Sequence, residues 1–519
     1  MYSLIQQSLA IGQEILNKRT SKSRKANGQF LTPEALARFI ADQLGDIRSG
    51  EHVLDPAMGS GTLMCAVIER LIEEGEPIEV YLDGFELDEE LYTSASALFK
   101  QAVNQAAEYN IKIHLRLFNT DFVLNSVQFL RPSLLETPVG EKHYHHILAN
   151  PPYFKINGND SRRKATEELL GGHTNIYTLF MGLSARMLNG GRACFIVPRS
   201  FCSGTYFKQF RREFIERASI QHVHLFEARN EAFSQDDVLQ ENLIITFTSQ
   251  NESSIDDTIE ISSSASLEAL KDGVSSRQIT EGQFLSPLGL FRLPTSELDE
   301  EILVVVDSWK ETLHSQGLEI STGPVVAFRA KQYLQDKEKS ASSVPLLWMQ
   351  HIKLQEVTWP LNGNFRKQQY IESEPTLMVK NANYVLLRRF SAKEEARRLV
   401  AAPYLAKDYP YFQLGLENHL NYIYGQKREL TTEETIGLSG LLNSGLIDRY
   451  FRISNGNTQV NATELRALPI PSLSVITAIG KAIIKEADEV DLDAVVVQVL
   501  QTYMLIPNDF PILRETRVL

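Results

Sequence analysis

The chain has 519 residues, of which 43% are hydrophobic and 23% are charged, and its formal net charge is −13. This length predicts two to four domains, and the composition excludes disordered, collagen-like and coiled-coil proteins. No run of about 18 apolar residues occurs and the N-terminal segment lacks a signal-peptide core, so we expect a cytoplasmic protein without membrane contact.

The negative charge is distributed unevenly along the chain. Residues 251–310 hold 12 Asp and Glu against 4 Lys and Arg, whereas residues 321–470 hold 14 acidic against 19 basic residues. Residues 18–25, KRTSKSRK, place five basic residues in eight positions. Such clusters form either a nucleic-acid contact or a solvated surface, so charge alone does not decide whether the chain binds a polyanion.

Short β-rich runs alternate with helical patterns in the first half of the chain, which predicts a doubly wound, mostly parallel sheet in an α/β domain. One predicted helix is TLMCAVIERLIEE (62–74), with apolar residues at helical spacing. The Ser-rich, acidic stretch 251–275 is predicted to be peripheral. The pattern then becomes irregular, and we place a domain boundary between residues 1–295 and 296–519. The seven predicted strands are 52–54, 80–85, 113–118, 146–149, 192–197, 222–226 and 243–248.

The first motif is VLDPAMGSGTLM (53–64), a strand, a Gly-rich turn and a helix. Gly59 and Gly61 allow a ligand to approach the backbone, and Asp55 ends the strand where open α/β sheets bind ligands. A simple tight turn is the alternative. The spacing matches neither GxGxxG nor GxxxxGK[ST], which disfavours a P-loop NTPase.

Two further loops follow predicted strands. In GFELD (84–88), Glu86 is the candidate acceptor for ribose hydroxyls, because Asp88 is positioned to cap the following helix. In NTDF (119–122), Asp121 is a candidate acceptor for an adenine amino group, and Phe122 is a candidate stacking ring. Together with the Gly-rich turn, these loops predict an adenosyl pocket.

The fourth motif, ANPPYF (149–154), is the most informative. Pro151 and Pro152 fix φ and remove N–H donors, so carbonyl oxygens stay free beside the acceptor on Asn150 and the ring of Tyr153. Two acceptors and a flat ring suit a planar group that carries an NH₂. A rigid turn with a packed aromatic ring is the structural alternative.

This run of motifs resembles the S-adenosylmethionine-dependent DNA N6-adenine methyltransferases of restriction–modification systems, in the gamma order of TaqI- and PstI-like enzymes. GQFLTP (28–33), HTNIYTLF (173–180) and GGRACFIVPRSF (190–201) are similar to other motifs of that class. Two C-terminal segments, LENHLNYIYG (416–425) and NGNTQVNATELRALPIP (455–471), look like PstI-type recognition domains. One departure is Met58, where many members carry Cys.

The resemblance implies a seven-stranded, Rossmann-like catalytic domain in residues 1–295 and a mixed α/β target-recognition domain in residues 296–519. It implies S-adenosylmethionine as cofactor and no metal. Phe233 is implied as a second aromatic beside the target base. Implied cofactor contacts are Thr32, Asp55, Gly59, Gly61, Glu86, Asp121 and Phe122, and implied catalytic residues are Asn150, Pro151, Pro152 and Tyr153.

We therefore expect site-specific methylation of adenine N6 in double-stranded DNA by a monomer, with a separate restriction endonuclease as its functional partner. Cytosine C5 methylation is disfavoured, because no cysteine follows a proline. Two roles are open for four arginines of the C-terminal region: they contact phosphates or guanine edges of DNA, or they form a charged helix face. These residues are Arg388, Arg389, Arg397 and Arg398. Alternative functions are methylation of RNA amino groups or protein glutamine, or a non-catalytic DNA-specificity subunit.

Overall fold

A computed structural model of the chain divides into two compact units, residues 1–295 and 296–519, a division that coincides with the predicted boundary. No helix in the described part of the chain is both long and apolar enough to cross a membrane. The structure describes residues 3–20, 30–131, 138–172, 175–226, 241–250, 258–270, 274–340, 342–363, 365–391, 395–454, 459–486 and 491–513.

The first unit is built on one large sheet. Its strands are β1 (His52–Asp55), β2 (Ile78–Phe85), β3 (Ile111–Phe118), β4 (His146–Ala149), β5 (Ala193–Pro198), β6 (Ala218–Phe226), β7 (Asn242–Ser249), β8 (Thr258–Ser264) and β9 (Ser275–Thr280). They lie in the order β3-β2-β1-β4-β5-β7-β6-β8-β9. The strands from β3 to β5 are parallel, and β7 is antiparallel to both of its neighbours. All seven predicted strands are present, so the mostly parallel sheet is confirmed.

The predicted count of seven strands is wrong for this sheet, which has nine strands in its described residues. The stretch predicted to be peripheral contains β8, which pairs in parallel with β6 and buries Ile259 and Ile261. The strand is not recognised in the sequence because its serines are typical of loops. In the fold, the Ser262 and Ser264 hydroxyls hydrogen-bond with histidines of β6, so a polar strand is satisfied inside the sheet.

Helices of the first unit flank this sheet. They are α1 (Leu4–Asn17), α2 (Glu34–Asp42), α3 (Thr62–Glu74), α4 (Glu89–Ala107), α5 (Phe122–Leu130), α6 (Ser161–Leu170), α7 (Ile176–Met187), α8 (Lys208–Ile215) and the single turn α9 (Glu281–Phe284). The predicted helix 62–74 is confirmed as α3, whose Leu63, Val67 and Leu71 are buried in the core. Its position directly after the Gly-rich turn fixes the path of that turn.

The buried histidines of β6 make the first unit sensitive to acid. His224 is fully buried, bonds Ser262 and Ser264 through its two ring nitrogens, and has its pKa lowered to about 3 by burial. The unfolded chain binds this proton near pH 6.5, so the stabilisation is complete above that pH and is lost as the pH falls toward 3. We expect the free energy of unfolding to decrease by about 1.4 kcal/mol per pH unit from this residue below about pH 6.

The measurement is denaturant unfolding at pH 7.5 and pH 5 for the wild type and for His224→Gln, which keeps hydrogen-bonding capacity but does not titrate. The variant should lose less stability between the two pH values than the wild type. An equal loss in both proteins would contradict the assignment of this acid sensitivity to His224.

The second unit contains smaller sheets. Its strands are β10 (Leu318–Thr322), β11 (Leu334–Gln335), β12 (Ser343–Leu347), β13 (Ile352–Lys353), β14 (Glu356–Val357), β15 (Tyr370–Glu372), β16 (Met378–Lys380), β17 (Tyr384–Arg388), β18 (Ala401–Tyr404), β19 (Gln413–Leu416) and β20 (Leu420–Gly425). They form a four-stranded sheet, β10-β20-β17-β18, a five-stranded sheet, β11-β15-β12-β19-β16, and the pair β13-β14. The helices are α10 (Glu297–Asp307), α11 (Thr432–Asn443), α12 (Gly445–Ser454), α13 (Ala462–Arg466), α14 (Leu473–Glu486) and α15 (Leu492–Thr502).

Two of the four arginines that the sequence predicts to contact DNA or to form a charged helix face are buried in this unit. Arg397 is 8% exposed and pairs with Asp493, and Arg398 is 2% exposed. The backbone N–H of Arg398 donates to Asp448, so this segment is anchored to α12. Both residues stabilise the second unit from inside and are not available to DNA.

Candidate active site

The predicted motif residues gather at one edge of the large sheet. β1, β2, β3 and β4 are parallel and adjacent, so their carboxyl ends lie side by side. Open α/β sheets bind their ligands at this edge. The four motifs follow these four strands directly, and the structure therefore brings together residues that lie up to about 95 positions apart along the chain.

Asp55 ends β1 and is 1% exposed. The Ala57 N–H donates to its Oδ1 atom at 3.0 Å, whereas Oδ2 is buried without a hydrogen-bond partner in the described part of the chain. Burial raises the pKa of this carboxyl group to about 8. A buried polar atom without a partner calls for an explanation, and a bound water or ligand is one.

The glycines of the turn serve different purposes. Both have positive φ, +57° at Gly59 and +92° at Gly61. A Cβ atom on Gly61 would lie 2.5 Å from the Phe99 ring, so packing against α4 requires glycine. A Cβ atom on Gly59 would meet nothing within 4 Å, so the backbone there borders open space. Gly59 is thus the glycine whose backbone a ligand can approach.

Glu86 connects this turn to the end of β2. Its carboxylate accepts the Gly59 N–H at 2.9 Å and the Asp88 N–H at 2.7 Å, and burial raises its pKa. Asp88 accepts the Leu91 N–H at the start of α4, which confirms its predicted role as a helix cap. Asp88 also pairs with Arg19. Of the two acids, Glu86 is the one that faces the glycine turn.

Asp121 and Phe122 lie at the start of α5, after β3. Asp121 caps this helix by accepting the Leu124 N–H at 3.0 Å, and Phe122 is 2% exposed. The Phe122 ring packs between Phe85, at 5.5 Å between centroids, and Phe180, at 5.3 Å. In this structure Phe122 belongs to the aromatic core beneath the sheet edge, and its predicted contact with a purine stays a prediction.

Asn150 follows β4 and bonds a segment that precedes it by about 120 residues. Its amide nitrogen donates to the Thr32 hydroxyl at 3.0 Å and to the Phe30 carbonyl at 3.3 Å. Its amide oxygen accepts from the Tyr153 hydroxyl at 2.7 Å. The sequence predicts Thr32 as a cofactor contact, but its hydroxyl here contacts the predicted catalytic amide.

The Phe30 carbonyl decides which way this amide points. The Thr32 hydroxyl can donate or accept, so it tolerates either orientation of the Asn150 amide. The single proton of the Tyr153 hydroxyl is shared between the Asn150 amide oxygen and the Ile196 carbonyl. A carbonyl oxygen can only accept, and a flipped amide would place two acceptors against each other. Because the amide nitrogen must face the Phe30 carbonyl, the amide oxygen faces away from Phe30. One lone pair of this oxygen faces the Tyr153 hydroxyl, and the second can accept another hydrogen bond.

The Tyr153 ring is held from both ends. Its hydroxyl lies 2.8 Å from the Ile196 carbonyl, and Phe30 stacks on its ring at 6.0 Å between centroids. The ring is 7% exposed, and burial raises the pKa of its hydroxyl well above the usual value. Tyr153 therefore stays protonated at neutral pH, and it acts as a hydrogen-bonding group and a ring, not as a base.

Pro151 is buried and Pro152 is half-buried in the turn after Asn150. The Pro151 carbonyl accepts no hydrogen bond from the described residues, which leaves it free beside the Asn150 amide. Sequence reasoning missed Phe30 and Ile196 as individual contacts, although each lies inside a segment that resembles a motif of the class, GQFLTP (28–33) and GGRACFIVPRSF (190–201). Phe233, predicted to contact the target base, lies outside the described residues.

Known proteins are similar to this chain over most of its length. A family described as Eco57I restriction-modification methylase matches residues 66–233. The chain is 32% identical to the type II methyltransferase M.BsuBI of Bacillus subtilis over 90% of its length and 92% of that protein. It is 31% identical to M.PstI of Providencia stuartii over 92% of its length and 94% of that protein.

One solved structure shares the fold across most of the chain. It is a nuclease-deletion mutant of the Type ISP restriction-modification enzyme LlaGI in complex with a DNA substrate mimic. The TM-score is 0.50 at 12% identity, over 90% of this chain and 56% of that one. The extent of the identity to M.BsuBI and M.PstI confirms the resemblance inferred from the motifs. The chain belongs to the family of type II methyltransferases of restriction–modification systems.

Proposed function

We propose that the protein methylates N6 of an adenine that is rotated out of duplex DNA at a short recognition sequence. The observation that carries this proposal is the oriented Asn150 amide, which is followed directly in the chain by a Pro151 carbonyl that accepts no hydrogen bond from the described residues. These two acceptors match the two hydrogens of an exocyclic amino group.

The edge of the sheet next to Asn150 fits the cofactor. The unpartnered Asp55 Oδ2 atom and the open space at Gly59 suit a polar ligand that lies close to the backbone. Glu86 offers a carboxylate for ribose hydroxyls, and we assign Asp121 and Phe122 to the adenine end and Thr32 to the methionine end. When bound, S-adenosylmethionine supplies an electrophilic methyl group.

The chain's own residues prepare the target amine. The lone pair of an adenine amino group is delocalised into the ring, which makes the nitrogen a poor nucleophile. Hydrogen bonds to the Asn150 amide oxygen and the Pro151 carbonyl localise that lone pair on the nitrogen. Because the amide is already oriented by Phe30 and Thr32, little reorganisation is needed at the moment of transfer.

Access to the amino group requires the adenine to leave the base stack, at a cost of roughly a few kcal/mol. Phe30 covers the Tyr153 ring, so we propose that the extruded base replaces the Phe30 side chain there. Phe233 is assigned to the other face of the base. The Phe30 carbonyl belongs to the backbone, and its bond to Asn150 is compatible with this side-chain movement.

We assign sequence recognition to the second unit, residues 296–519, which includes the basic stretch 321–470. A fragment ending at Thr295 should bind cofactor but lose its preference for one DNA sequence. The measurement is a methylation assay on DNA with and without the recognition sequence, after circular dichroism has shown that the fragment folds. If the folded fragment still methylated a single defined sequence, the assignment would be wrong.

The test of the proposed function is to sequence DNA from cells that express the chain and to map N6-methyladenine. We expect modified adenines in one short sequence and none in cells that express Asn150→Ala. Methylation confined to RNA or to protein glutamine would overturn the proposal in favour of another amino-group substrate.

We propose a monomer that acts beside a separate endonuclease.

A further inference from the structure

A basic surface pocket lies in the first unit, outside the cofactor and Asn150 sites. Its volume is about 880 Å³. The start of α8, the glycines that follow α6 and the turn Pro287–Gly289 form its walls. Its charged lining residues are Arg163, Lys208 and Arg212, and none of the described residues that line it is an Asp or a Glu. The Glu167 carboxylate lies at the edge of the pocket, next to Gly172.

The positive charge of this pocket is available to a ligand. Lys208 is exposed and has no carboxylate within 4 Å in the part of the chain that the structure describes. Arg212 has one carboxylate neighbour, Glu213, at 3.5 Å, and that residue is shared with Arg186. Arg163 is held in position by the Gly172 carbonyl, which its Nε donates to at 3.0 Å.

Helix α8 adds to the attraction for an anion. Lys208 and Gln209 are its first two residues, and no side chain caps its N-terminus. The helix dipole favours negative charge at such an end. The helix thus strengthens the field that the three cations produce.

Aromatic contacts connect the pocket to the catalytic turn. Tyr177 packs against Tyr153 at 6.3 Å and against Phe207 at 6.2 Å, and Phe207 directly precedes α8. Tyr206 lines the pocket, is 48% exposed and lies under the Lys155 ammonium group, at 5.8 Å. Lys155 follows Tyr153 by two residues. The pocket is therefore one aromatic layer from the residue assigned to the target base.

We propose that this pocket binds phosphates of the DNA strand that carries the target adenine, next to the extruded nucleotide. The proposal rests on the proposed function. Phosphodiester groups match the cations and the helix end, and an exposed ring such as Tyr206 packs against a sugar or an unstacked neighbouring base. Contacts to the strand on this side would hold the backbone while the nucleotide is rotated out.

The test compares two double variants of the full chain that remove equal charge. Lys208→Ala with Arg212→Ala changes the pocket, and Arg48→Ala with Lys100→Ala changes exposed residues elsewhere in the first unit. Affinity for a 20-base-pair duplex with the methylated sequence is measured as a function of salt concentration. We expect the pocket variant to bind about 10-fold more weakly near 0.1 M salt and its salt slope to fall by about 2.

In both variants, cofactor affinity and kcat at saturating DNA should stay within about twofold of the wild type. The melting temperature should stay within about two degrees. Equal DNA affinities and salt slopes in the two variants would overturn the proposal. A loss of kcat with unchanged DNA affinity would also overturn it. Failure of the proposed function is distinct, because no N6-methyladenine would then be found in DNA from cells that express the wild type.

Discussion

Replacing Asn150 with alanine is expected to lower kcat by roughly 10²–10³ while leaving the affinity for S-adenosylmethionine nearly unchanged. The reason is that the Asn150 amide is assigned to the target amine, and hydrogen bonds that strengthen in the transition state act on kcat. The amide is bonded to Phe30, Thr32 and Tyr153, so Thr32, at the methionine end, is the one residue assigned to the cofactor that would lose a hydrogen bond and keep its hydroxyl. The measurement is single-turnover methylation together with calorimetry of cofactor binding.

A control variant separates this effect from a general loss of function. Asn104 is an exposed asparagine of α4, and Asn104→Ala should keep wild-type kcat. A melting temperature measured for each variant shows whether the fold is intact. An Asn150→Ala protein with kcat within threefold of the wild type would remove Asn150 from the catalytic role.

Replacing Glu86 with alanine should weaken cofactor binding about 10- to 150-fold, because a charged acceptor for two hydroxyls contributes roughly 1.5–3 kcal/mol. The structure adds a second cause. Glu86 accepts the Gly59 N–H, so its loss also frees the turn that borders the open space. Isothermal calorimetry with S-adenosylmethionine gives the affinity directly.

Asp88→Ala is the matched control for this experiment. Asp88 caps α4 and pairs with Arg19, so its loss should reduce stability by about 1 kcal/mol and leave cofactor affinity within a few-fold of the wild type. If Asp88→Ala weakened the cofactor as much as Glu86→Ala, the assignment of the ribose contact to Glu86 would be incorrect.

The sequence predicted the features that depend on local pattern. Strand alternation, the helix 62–74 and the motif after β4 follow from periodicity, glycine and proline, and the structure contains all of them. Strand β8 was missed because its serines look like loop residues until the histidines of β6 are placed beside them. A partner on a distant strand is not visible in a local window.

Side-chain roles that depend on tertiary contacts were harder to predict. Arg397 and Arg398 look like surface charges in the sequence, and only the fold reveals the buried acid that pairs with Arg397. The contact between Asn150 and Thr32 joins residues that are 118 positions apart. Each residue belonged to a recognised motif, but no property of either motif predicts the hydrogen bond between them.

The use of a backbone carbonyl to orient Asn150 affects which mutations this site tolerates. Every amino acid at position 30 would supply the same oxygen, so point substitutions there leave the amide orientation intact as long as the backbone path is kept. An insertion or deletion between Phe30 and the start of α2 at Glu34 would displace that oxygen and release the amide, whatever the side chains. The bond from the Asn150 amide to position 30 is therefore robust to substitution of that residue and sensitive to changes in chain length in this segment.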